Sequence, residues 1–478
     1  VPVTARDFVF AIETIRNPGI PQAGALANYF KDLERIEAVD DRTLNVVWKE
    51  PYFLALEFTL GIEPLPRHLY RPDPATTDAD FAEDMLNRRP ERNQMVIGCG
   101  PYIFKEYLKD NRLTLVRNER YVGPLPHIEK LVYTLIQDEN KALMELNAGH
   151  LDDLSLTSVM WKEQTPAPKF LTVCDNPLTA EADSASYTDK KTALVLAGKD
   201  TGAHQFEKYQ FRTFAFSFIS WNMRRPIFAD REVRRALTHA VDRGRIIREV
   251  FYDLGCQPTG YFAPHSLYYD ATIEPWPFDL AKAAAILKDA GWADTDGDGV
   301  LDKDLDGDGT RDPFRFTFLM FQSHPYQSKW VPMIQQDMAK IGISLKVKSI
   351  EGSVYFQAIE SFDFDACSFY WSGSIESDPY QLWHSTQADT KGGSNISGFK
   401  NAEADAIIET GRRTLDLDKR IALYKKFHRI LHEEQPYTFM FNPSLLVAID
   451  KKYQNLRVYR TGMLRSTSWI PSVLQREQ

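Results

Sequence analysis

Apolar residues recur at two different spacings along this chain. Helical spacing predicts a helix after Asp230 whose apolar face carries Val233, Leu237, Val241, Ile247 and Phe251. The same spacing predicts helices over 280–290, 328–341, 353–360, 402–414 and 419–433. Short apolar runs predict strands over 213–222, 314–320, 343–348, 364–371 and 438–448. This alternation of strands and helices indicates an α/β domain whose sheet is partly parallel.

The first third of the chain is richer in predicted strands. Thr4 predicts the start of a helix, with Asp7 close to the acidic position of a capping box. Strands are predicted over 35–39, 42–48, 102–107, 112–117 and 130–136, and a helix over 138–148. Two glycines and a proline within 98–101 indicate a point where the chain passes from one lobe to another.

Length and composition narrow the class of protein. With 478 residues the chain is too long for one core, so two or three domains are expected. The net charge of −9 argues against nucleic acid as a partner, and no apolar run is long enough to span a bilayer. The four cysteines are Cys99, Cys174, Cys256 and Cys367. Their spacing matches neither a metal site nor a redox motif, and it is equally consistent with disulfides and with free thiols.

The most unusual composition lies within residues 294–312, where eight aspartates are opposed by Lys303 and Arg311. The charge and spacing predict bound calcium, which takes six to eight oxygen ligands. The expected ligands form two copies of an EF-hand-like pattern: Asp294, Asp296, Asp298, Val300 and Asp302, then Asp304, Asp306, Asp308, Thr310 and Asp312.

Both copies depart from a standard EF-hand, because Leu305 and Arg315 stand where a glutamate is required. The alternative is a solvated acidic loop with glycine turns. No base or nucleophile adjoins the stretch in sequence, so we expect bound calcium to have a structural role.

Motifs for catalysis are missing from the sequence. There is no nucleophile elbow, no P-loop and no glycine motif for a dinucleotide. His428 and His432 stand one helical turn apart, but no third metal ligand is spaced near them, so we expect both on the helix surface. We therefore predict that the protein is not an enzyme. The alternative is an active site whose residues are distant in sequence and meet only in the folded protein.

Several segments, taken in order, resemble the bacterial extracellular solute-binding proteins of family 5, the oligopeptide- and dipeptide-binding receptors of ABC importers. The matching segments are PVTA at 2–5, GCGPY at 98–102, WN at 221–222, PIF at 226–228, VRRAL at 233–237, AVDR at 240–243, and 281–292 with the acidic stretch after it. The resemblance covers nearly the whole chain.

The resemblance implies an α/β, two-lobed periplasmic-binding-protein fold of the class with an extra domain, with mixed sheets and a hinge between lobes. The division it implies is an extra domain at 1–97, lobe I at 98–257, lobe II at 258–441 with the acidic loop, and a return to lobe I at 442–478. Family members carry several dozen residues before the PVTA segment, so we expect a first lobe that lacks those N-terminal strands or whose exposed edge is covered by another segment.

The function implied is a receptor that captures oligopeptides in a cleft between the lobes and delivers them to a membrane permease. We expect a monomer in the periplasm or outside the cell, with or without a membrane tether. Two alternatives stay open: the same fold binding an oligosaccharide or a metal chelate, and an enzyme or peptide chaperone.

One position departs from the family's peptide receptors. They carry an aspartate that pairs with the α-amine of the peptide, and Ser374 stands at that place here. Either Glu376 or Asp378 substitutes for it, or the ligand has no free amine there. The other expected ligand contacts are apolar walls and hydrogen-bonding groups: Tyr370, Trp371, Trp383, Ser394 and Asn395, with Trp221 and Asn222 from the facing lobe.

Overall fold

The structure is a computed structural model that describes residues 1–20, 23–86, 97–165, 206–322, 324, 326–459, 462–464 and 468–470. Its strands, in chain order from β1 to β17, are Leu33–Ala38, Leu44–Trp48, Tyr102–Leu108, Arg112–Arg117, Lys130–Thr134, Asp153–Ser155, Phe206–Arg212, Phe216–Trp221, Gly255–Cys256, Asp302–Lys303, Asp312–Pro313, Arg315–Phe321, Ser344–Ile350, Ala366–Trp371, Tyr437–Asp450, Arg457–Tyr459 and Gly462–Leu464.

The helices, in chain order from α1 to α14, are Ala5–Ile15, Gly24–Ala27, Ala55–Leu60, Arg67–Tyr70, Asp78–Leu86, Glu139–Asn147, Arg231–His239, Arg243–Phe251, Leu280–Asp289, Gln327–Ala339, Gly352–Glu360, Tyr380–Trp383, Ala402–Arg413 and Leu417–Glu434. Among the described residues, no helix has both the length and the apolar character needed to cross a bilayer.

The chain forms two compact units. The first contains Val1, Arg71–Thr213 and Ser444–Gln478, and the second contains Pro2–Tyr70 and Phe214–Pro443. The domain ranges expected from the resemblance, 1–97, 98–257, 258–441 and 442–478, are a different division and stay a prediction.

The second unit is built on a mixed sheet in the order β13-β12-β14-β8-β15. Strand β12 is parallel to both β13 and β14, whereas β14, β8 and β15 pair in antiparallel fashion. Strand β8 is buried along most of its length, as its apolar sequence predicts for a central strand. This mixed sheet with helices confirms the predicted α/β class.

Local capping explains where the helices of this unit begin. Asp279, Asn401 and Asp416 each accept a hydrogen bond from a backbone N–H in the first turn, at 2.8 to 3.0 Å. Asp242 does the same for Arg245, and it therefore starts a new helix. The single helix predicted after Asp230 is for this reason two helices, α7 and α8.

The residues Pro2–Tyr70 carry a small core of their own, formed by Ala11, Ile12, Phe30, Leu33 and Ile62. Helix α1 begins with the predicted capping interaction, because the Thr4 backbone N–H donates to Asp7 at 2.8 Å. Strands β1 and β2, predicted over 35–39 and 42–48, pair in antiparallel fashion.

The first unit contains an antiparallel sheet of β3, β4 and β5, close to the ranges predicted from sequence. In its second sheet, the part of β15 from Ser444 to Asp450 pairs with β7, and Val447–Ile449 pairs with β6. The buried residues between these strands include Tyr209, Phe211, Val447 and Ile449.

The prediction that His428 and His432 lie on the helix surface is wrong. Both are buried on α14. The Nε2 atom of His428 lies 2.9 Å from the Thr259 hydroxyl, and Nδ1 of His432 lies 3.0 Å from the Thr259 carbonyl oxygen. The segment after β9 covers this face of the helix, and the amphipathic pattern of α14 does not reveal that cover.

Candidate functional site

The candidate site begins where two parallel strands of the second unit separate. Strand β14 pairs with β12 only at Ala366 and Cys367, but it pairs with β8 along its whole length. The carboxyl halves of β12 and β14 therefore diverge. In open α/β sheets, ligands bind outside the carboxyl ends of strands at the point where the strand order reverses. The gap between β12 and β14 lies at such a point.

The carboxyl end of β14 presents aromatic surface. Tyr370 is 61% exposed and Ile375, in the loop that follows, is 68% exposed. Phe369 contacts the rings of Phe356 and Trp371, at centroid distances of 6.0 and 5.0 Å. Exposed aromatic surface of this kind suits apolar side chains of a ligand.

Glu376 lies in this loop, and its carboxylate is already bound within the protein. The Tyr268 hydroxyl donates to Glu376 Oε2, and Arg420 forms an ion pair with the same oxygen at 3.4 Å. Arg420 also donates from Nε to the Tyr268 oxygen at 2.8 Å. Burial and the neighbouring Glu376 raise the pKa of Tyr268, so its phenol stays a donor.

Asp378, two residues later, is buried more deeply. Its Oδ2 atom accepts a hydrogen bond from the Tyr52 hydroxyl at 2.9 Å, and its Oδ1 atom accepts one from the Tyr380 backbone N–H at 3.0 Å. Nε of Arg412 lies 3.5 Å from Oδ2. Burial, together with the negative charge of Asp378, raises the pKa of Tyr52. Asp378 is therefore a buried, paired anion.

These contacts bear on the recognition of a ligand amine. The exposed Ser374 hydroxyl donates to the Glu376 carbonyl oxygen and offers no negative charge. Glu376 is neutralised by Arg420, and Asp378 by Arg412. The loop thus has two carboxylates, and both have internal cationic partners.

Three further predicted contacts shape the segment after this loop. Trp383 is fully buried, with its ring 4.8 Å from that of Tyr437. The Ser394 hydroxyl accepts from the Gln381 side-chain amide at 2.6 Å. Asn395 is also fully buried and accepts from the Phe399 backbone N–H at 3.0 Å. In this conformation these side chains support the segment internally, and their contact with a ligand stays a prediction.

Trp221 and Asn222 lie at the other end of β14 from Trp371, because Trp221 pairs with Ala366 and Phe216 pairs with Trp371. The Trp221 indole donates to the Thr438 hydroxyl at 3.1 Å, and the Asn222 amide donates to the Phe364 carbonyl oxygen at 2.7 Å. They were expected on a facing lobe. In the structure Trp221 ends β8, in the same sheet as Tyr370 and Trp371, and Asn222 follows it directly. Both are buried, and their contact with a ligand stays a prediction.

Sequence analysis missed the residues that hold this site. Tyr52, Arg412 and Arg420 bind the two acids of the loop, yet Tyr52 is 326 positions away from Asp378. The signal in the sequence is weak, because Arg412 and Arg420 stand on helices with several other charged residues and nothing local marks these two as buried. Contacts at such separation are fixed by the fold and not by a local motif.

The acidic stretch folds into two turns with the same hydrogen-bond pattern. Asp294 accepts from the backbone N–H groups of Gly297 and Gly299, at 2.8 and 3.0 Å. Ten residues later Asp304 accepts from Gly307 and Gly309, at 2.7 and 3.0 Å. All four glycines have positive φ, as the predicted turns require. The hydrogen bond from Gly307 is the main cause of the lowered pKa of Asp304.

Each turn brings three carboxylates together. Oxygen atoms of Asp294, Asp296 and Asp302 lie within 4.8 Å of one another, and so do those of the second set: Asp304, Asp306 and Asp308. The carboxylates of Asp298 and Asp312 lie outside both sets. Val300 and Thr310 donate backbone N–H bonds to Asp298 and Asp308.

Arginine side chains already reach the first of these turns. Arg311 forms an ion pair with Asp302, and Arg315 donates to Asp298 at 2.5 Å. Asp312 belongs to β11, where it pairs with Lys303 of β10. The structure thus forms two carboxylate sets, and calcium binding stays a prediction.

A family model described as bacterial extracellular solute-binding proteins, family 5 (middle), matches residues 1–393. The chain belongs to this family. The resemblance stated from sequence motifs is thereby confirmed. Family 5 members are extracellular solute-binding proteins by description, in agreement with the coarser part of the predicted location.

Relatives of this chain include the oligopeptide-binding protein AppA of Bacillus subtilis, which is 30% identical over 400 residues. That match covers 83% of this chain and 64% of the relative, so the chain spans just under two thirds of its length. Di/tripeptide-binding protein 1 of Pseudomonas aeruginosa is 26% identical over 438 residues, covering 91% of this chain and 70% of the relative.

Several solved structures also have a similar fold. The AppA structure from Bacillus subtilis in complex with a nonapeptide has a TM-score of 0.76 and 25% identity, covering 98% of this chain and 84% of that one. NikZ from Campylobacter jejuni in complex with Ni(L-His) has a TM-score of 0.74 and 20% identity, and the match covers 98% of this chain and 83% of NikZ. These likenesses confirm the predicted periplasmic-binding-protein fold.

Proposed function

We propose that this protein is the substrate-binding receptor of an ABC importer, and that it captures oligopeptides and delivers them to a membrane permease. The observation that carries the proposal is the match to AppA, which is named an oligopeptide-binding protein and was solved with a nonapeptide. The aromatic end of β14, with Tyr370 and Ile375 exposed, is the surface that we assign to the peptide's side chains.

The proposed peptide binds without an ion pair from its α-amine to the loop Ser372–Pro379. Support comes from the internal pairing of Glu376 with Arg420 and of Asp378 with Arg412. Taking either carboxylate for a ligand would leave a buried arginine without its partner, which is costly in a low-dielectric site. The ligand is therefore a peptide that is longer than this site, or one that is blocked at its N-terminus.

Binding without chemical change is part of the proposal. The receptor acts as a monomer, and it works in the periplasm or outside the cell. Incubation of the purified protein with a peptide library should leave every peptide mass unchanged. Loss of any peptide in proportion to time would instead favour the enzyme alternative.

A second candidate function is the binding of a metal chelate. Haem-binding protein A of Haemophilus influenzae is 24% identical over 447 residues, with 91% of this chain and 70% of the relative covered. Native mass spectrometry of protein purified from cells separates the two functions. A ladder of bound peptide masses is the expected result, whereas one bound chelate or sugar mass would contradict peptide capture.

We also propose a structural role for calcium in residues 294–312. Each turn offers three carboxylates close enough to share one ion. The fit is partial, because calcium needs six to eight oxygens and the remaining ligands would be backbone carbonyls and water. Asp298 and Asp302 would also have to be shared with Arg315 and Arg311.

A further inference from the structure

Several polar and aromatic groups join the segment Pro2–Tyr70 to the rest of its unit. Its apolar residues pack into their own cluster, which includes Ile12, Phe30 and Leu33. Phe53 also packs against the large cluster of the unit, with its ring 6.1 Å from that of Tyr424. Polar contacts between separately packed parts of a chain are typical of parts that move relative to each other.

The centre of this contact is one buried ionic group. The Arg412 guanidinium lies between the rings of Tyr52 and Tyr380, at 4.8 and 4.6 Å from their centroids. It is buried, and it faces the buried carboxylate of Asp378 at 3.5 Å. Tyr52 comes from the N-terminal segment and donates to the same carboxylate at 2.9 Å. We call Tyr52, Asp378 and Arg412 the latch.

Other contacts at the latch follow the same polar pattern. The Phe53 backbone N–H donates to the Arg412 carbonyl oxygen at 3.0 Å. Nζ of Lys31 lies 3.4 Å from the Tyr380 ring centroid, and the Asn28 amide donates to Gln387 at 3.0 Å. Arg412 also approaches Asp32 at 3.5 Å. Burial and the charge of Asp378 raise the pKa of Tyr29 to about 12, as expected beside a buried anion.

The latch shares a loop with the candidate ligand surface. Asp378 follows the exposed Ile375 by three residues, and Pro379 after it leads into α12. A ligand that fixes Tyr370 and Ile375 would therefore also fix the backbone that carries Asp378. The docking of Pro2–Tyr70 depends on the position of that carboxylate.

We propose that Arg412 is a positioning residue that couples ligand binding at the end of β14 to the docking of Pro2–Tyr70, acting through Asp378. The coupling rests on the proposed function, whereas the latch itself does not. Two states follow, one with the segment docked and one with the latch open. Ligand binding shifts the population towards the docked state.

The test is hydrogen exchange on the full chain, resolved to the Phe53 amide. Because this amide donates to Arg412 across the contact, its exchange reports undocking. The amides of β2, Leu44–Trp48, belong to the segment's own hairpin and report unfolding of the segment. The variant Asp378→Asn with Arg412→Gln removes both charges together and leaves no unpaired buried ion. Tyr52→Phe is the milder second variant.

Without ligand, we expect exchange at Phe53 to accelerate about 10-fold in the charge-free double variant and by a smaller factor in Tyr52→Phe, while β2 exchange stays unchanged in both. Arg413→Gln is the matched control, because Arg413 pairs with Glu50 across the same contact but is exposed. It should leave exchange at Phe53 at the wild-type rate. Equal acceleration at Phe53 and β2, or no acceleration at Phe53, would overturn the latch.

With a bound oligopeptide, wild-type exchange at Phe53 should slow about 10-fold, and in the charge-free double variant this slowing should vanish. Peptide binding that leaves Phe53 exchange unchanged in the wild type would overturn the coupling. If no peptide binds at all, the proposed function fails, while the ligand-free comparison still decides the latch.

Discussion

Two regions of this molecule concentrate carboxylates, and they use them in opposite ways. In residues 294–312 most of the aspartates are exposed, and their oxygens accept from backbone N–H groups a few residues away. In the loop Ser372–Pro379, Glu376 and Asp378 are held by arginines and tyrosines from distant parts of the chain. A carboxylate count therefore says little about the ligand. The groups that already neutralise each carboxylate decide whether it is available.

The largest expected change in stability comes from breaking the buried pair of Asp378 and Arg412. Asp378→Ala would leave Arg412 buried without its main partner, which should lower the free energy of unfolding by about 3–5 kcal/mol. Urea denaturation at neutral pH measures it. Glu50→Ala removes an exposed partner from the same contact and should cost about 0–1 kcal/mol. Similar losses in the two variants would contradict the distinction between buried and exposed acids.

Calcium addition tests the exposed region. At about 100 times the dissociation constant, calcium should stabilise the folded protein by about 2.7 kcal/mol. Thermal unfolding of chelator-treated protein with and without calcium measures this. The paired variant Asp296→Asn with Asp306→Asn should abolish the effect, because it removes one carboxylate from each set.

Peptide affinity should stay unchanged within about twofold on chelation, since the acidic turns have a structural role in this account. A melting temperature that does not change with calcium would show that residues 294–312 are a solvated loop. A large loss of affinity without unfolding would instead make it part of the binding site.

The buried face of α14 and the exposed acidic turns should affect stability in different pH ranges. Burial lowers the pKa of His428 to about 3, from 6.5 in the unfolded chain. The unfolded state therefore takes up a proton below pH 6.5 that the folded state does not, and stability falls as pH drops from 6.5 towards 3. His428 alone should contribute about 2 kcal/mol to this loss between pH 7 and pH 5. The stability that comes from the lowered pKa of Asp304 is present at neutral pH and is lost only in stronger acid, as the pH falls below the ordinary carboxyl range.

Urea denaturation at a series of pH values measures this slope. His428→Gln keeps a polar group beside Thr259 and should flatten the slope between pH 7 and pH 5. A wild-type stability that does not change over this pH range would contradict a neutral buried His428.

The same contrast explains how much could be read from sequence. Strands β3 and β4, the helices predicted over 280–290 and 402–414, and the acidic turns depend on neighbours within a few residues, and the sequence predicted them well. The break between α7 and α8 also has a local cause in Asp242, but the continuous apolar spacing concealed it.

The candidate site was less predictable. The strand predicted over 364–371 is close to β14, which ends in the aromatic pair Tyr370 and Trp371, but no pattern in the sequence placed Trp221 in the same sheet. Whether Glu376 or Asp378 is free depended on Arg420, Arg412 and Tyr52, and no spacing in the sequence links these residues. Burial of His428 depended in the same way on the segment that carries Thr259.

Calorimetric titration with one oligopeptide, in its free and N-acetylated forms, tests the central claim most directly. Because both acids of the loop are paired internally, the two forms should bind with dissociation constants within about threefold, a difference below 1 kcal/mol. Preference for the free amine by more than about 10-fold would show that a carboxylate of this region is available after all. Failure of both forms to bind would contradict the peptide receptor itself.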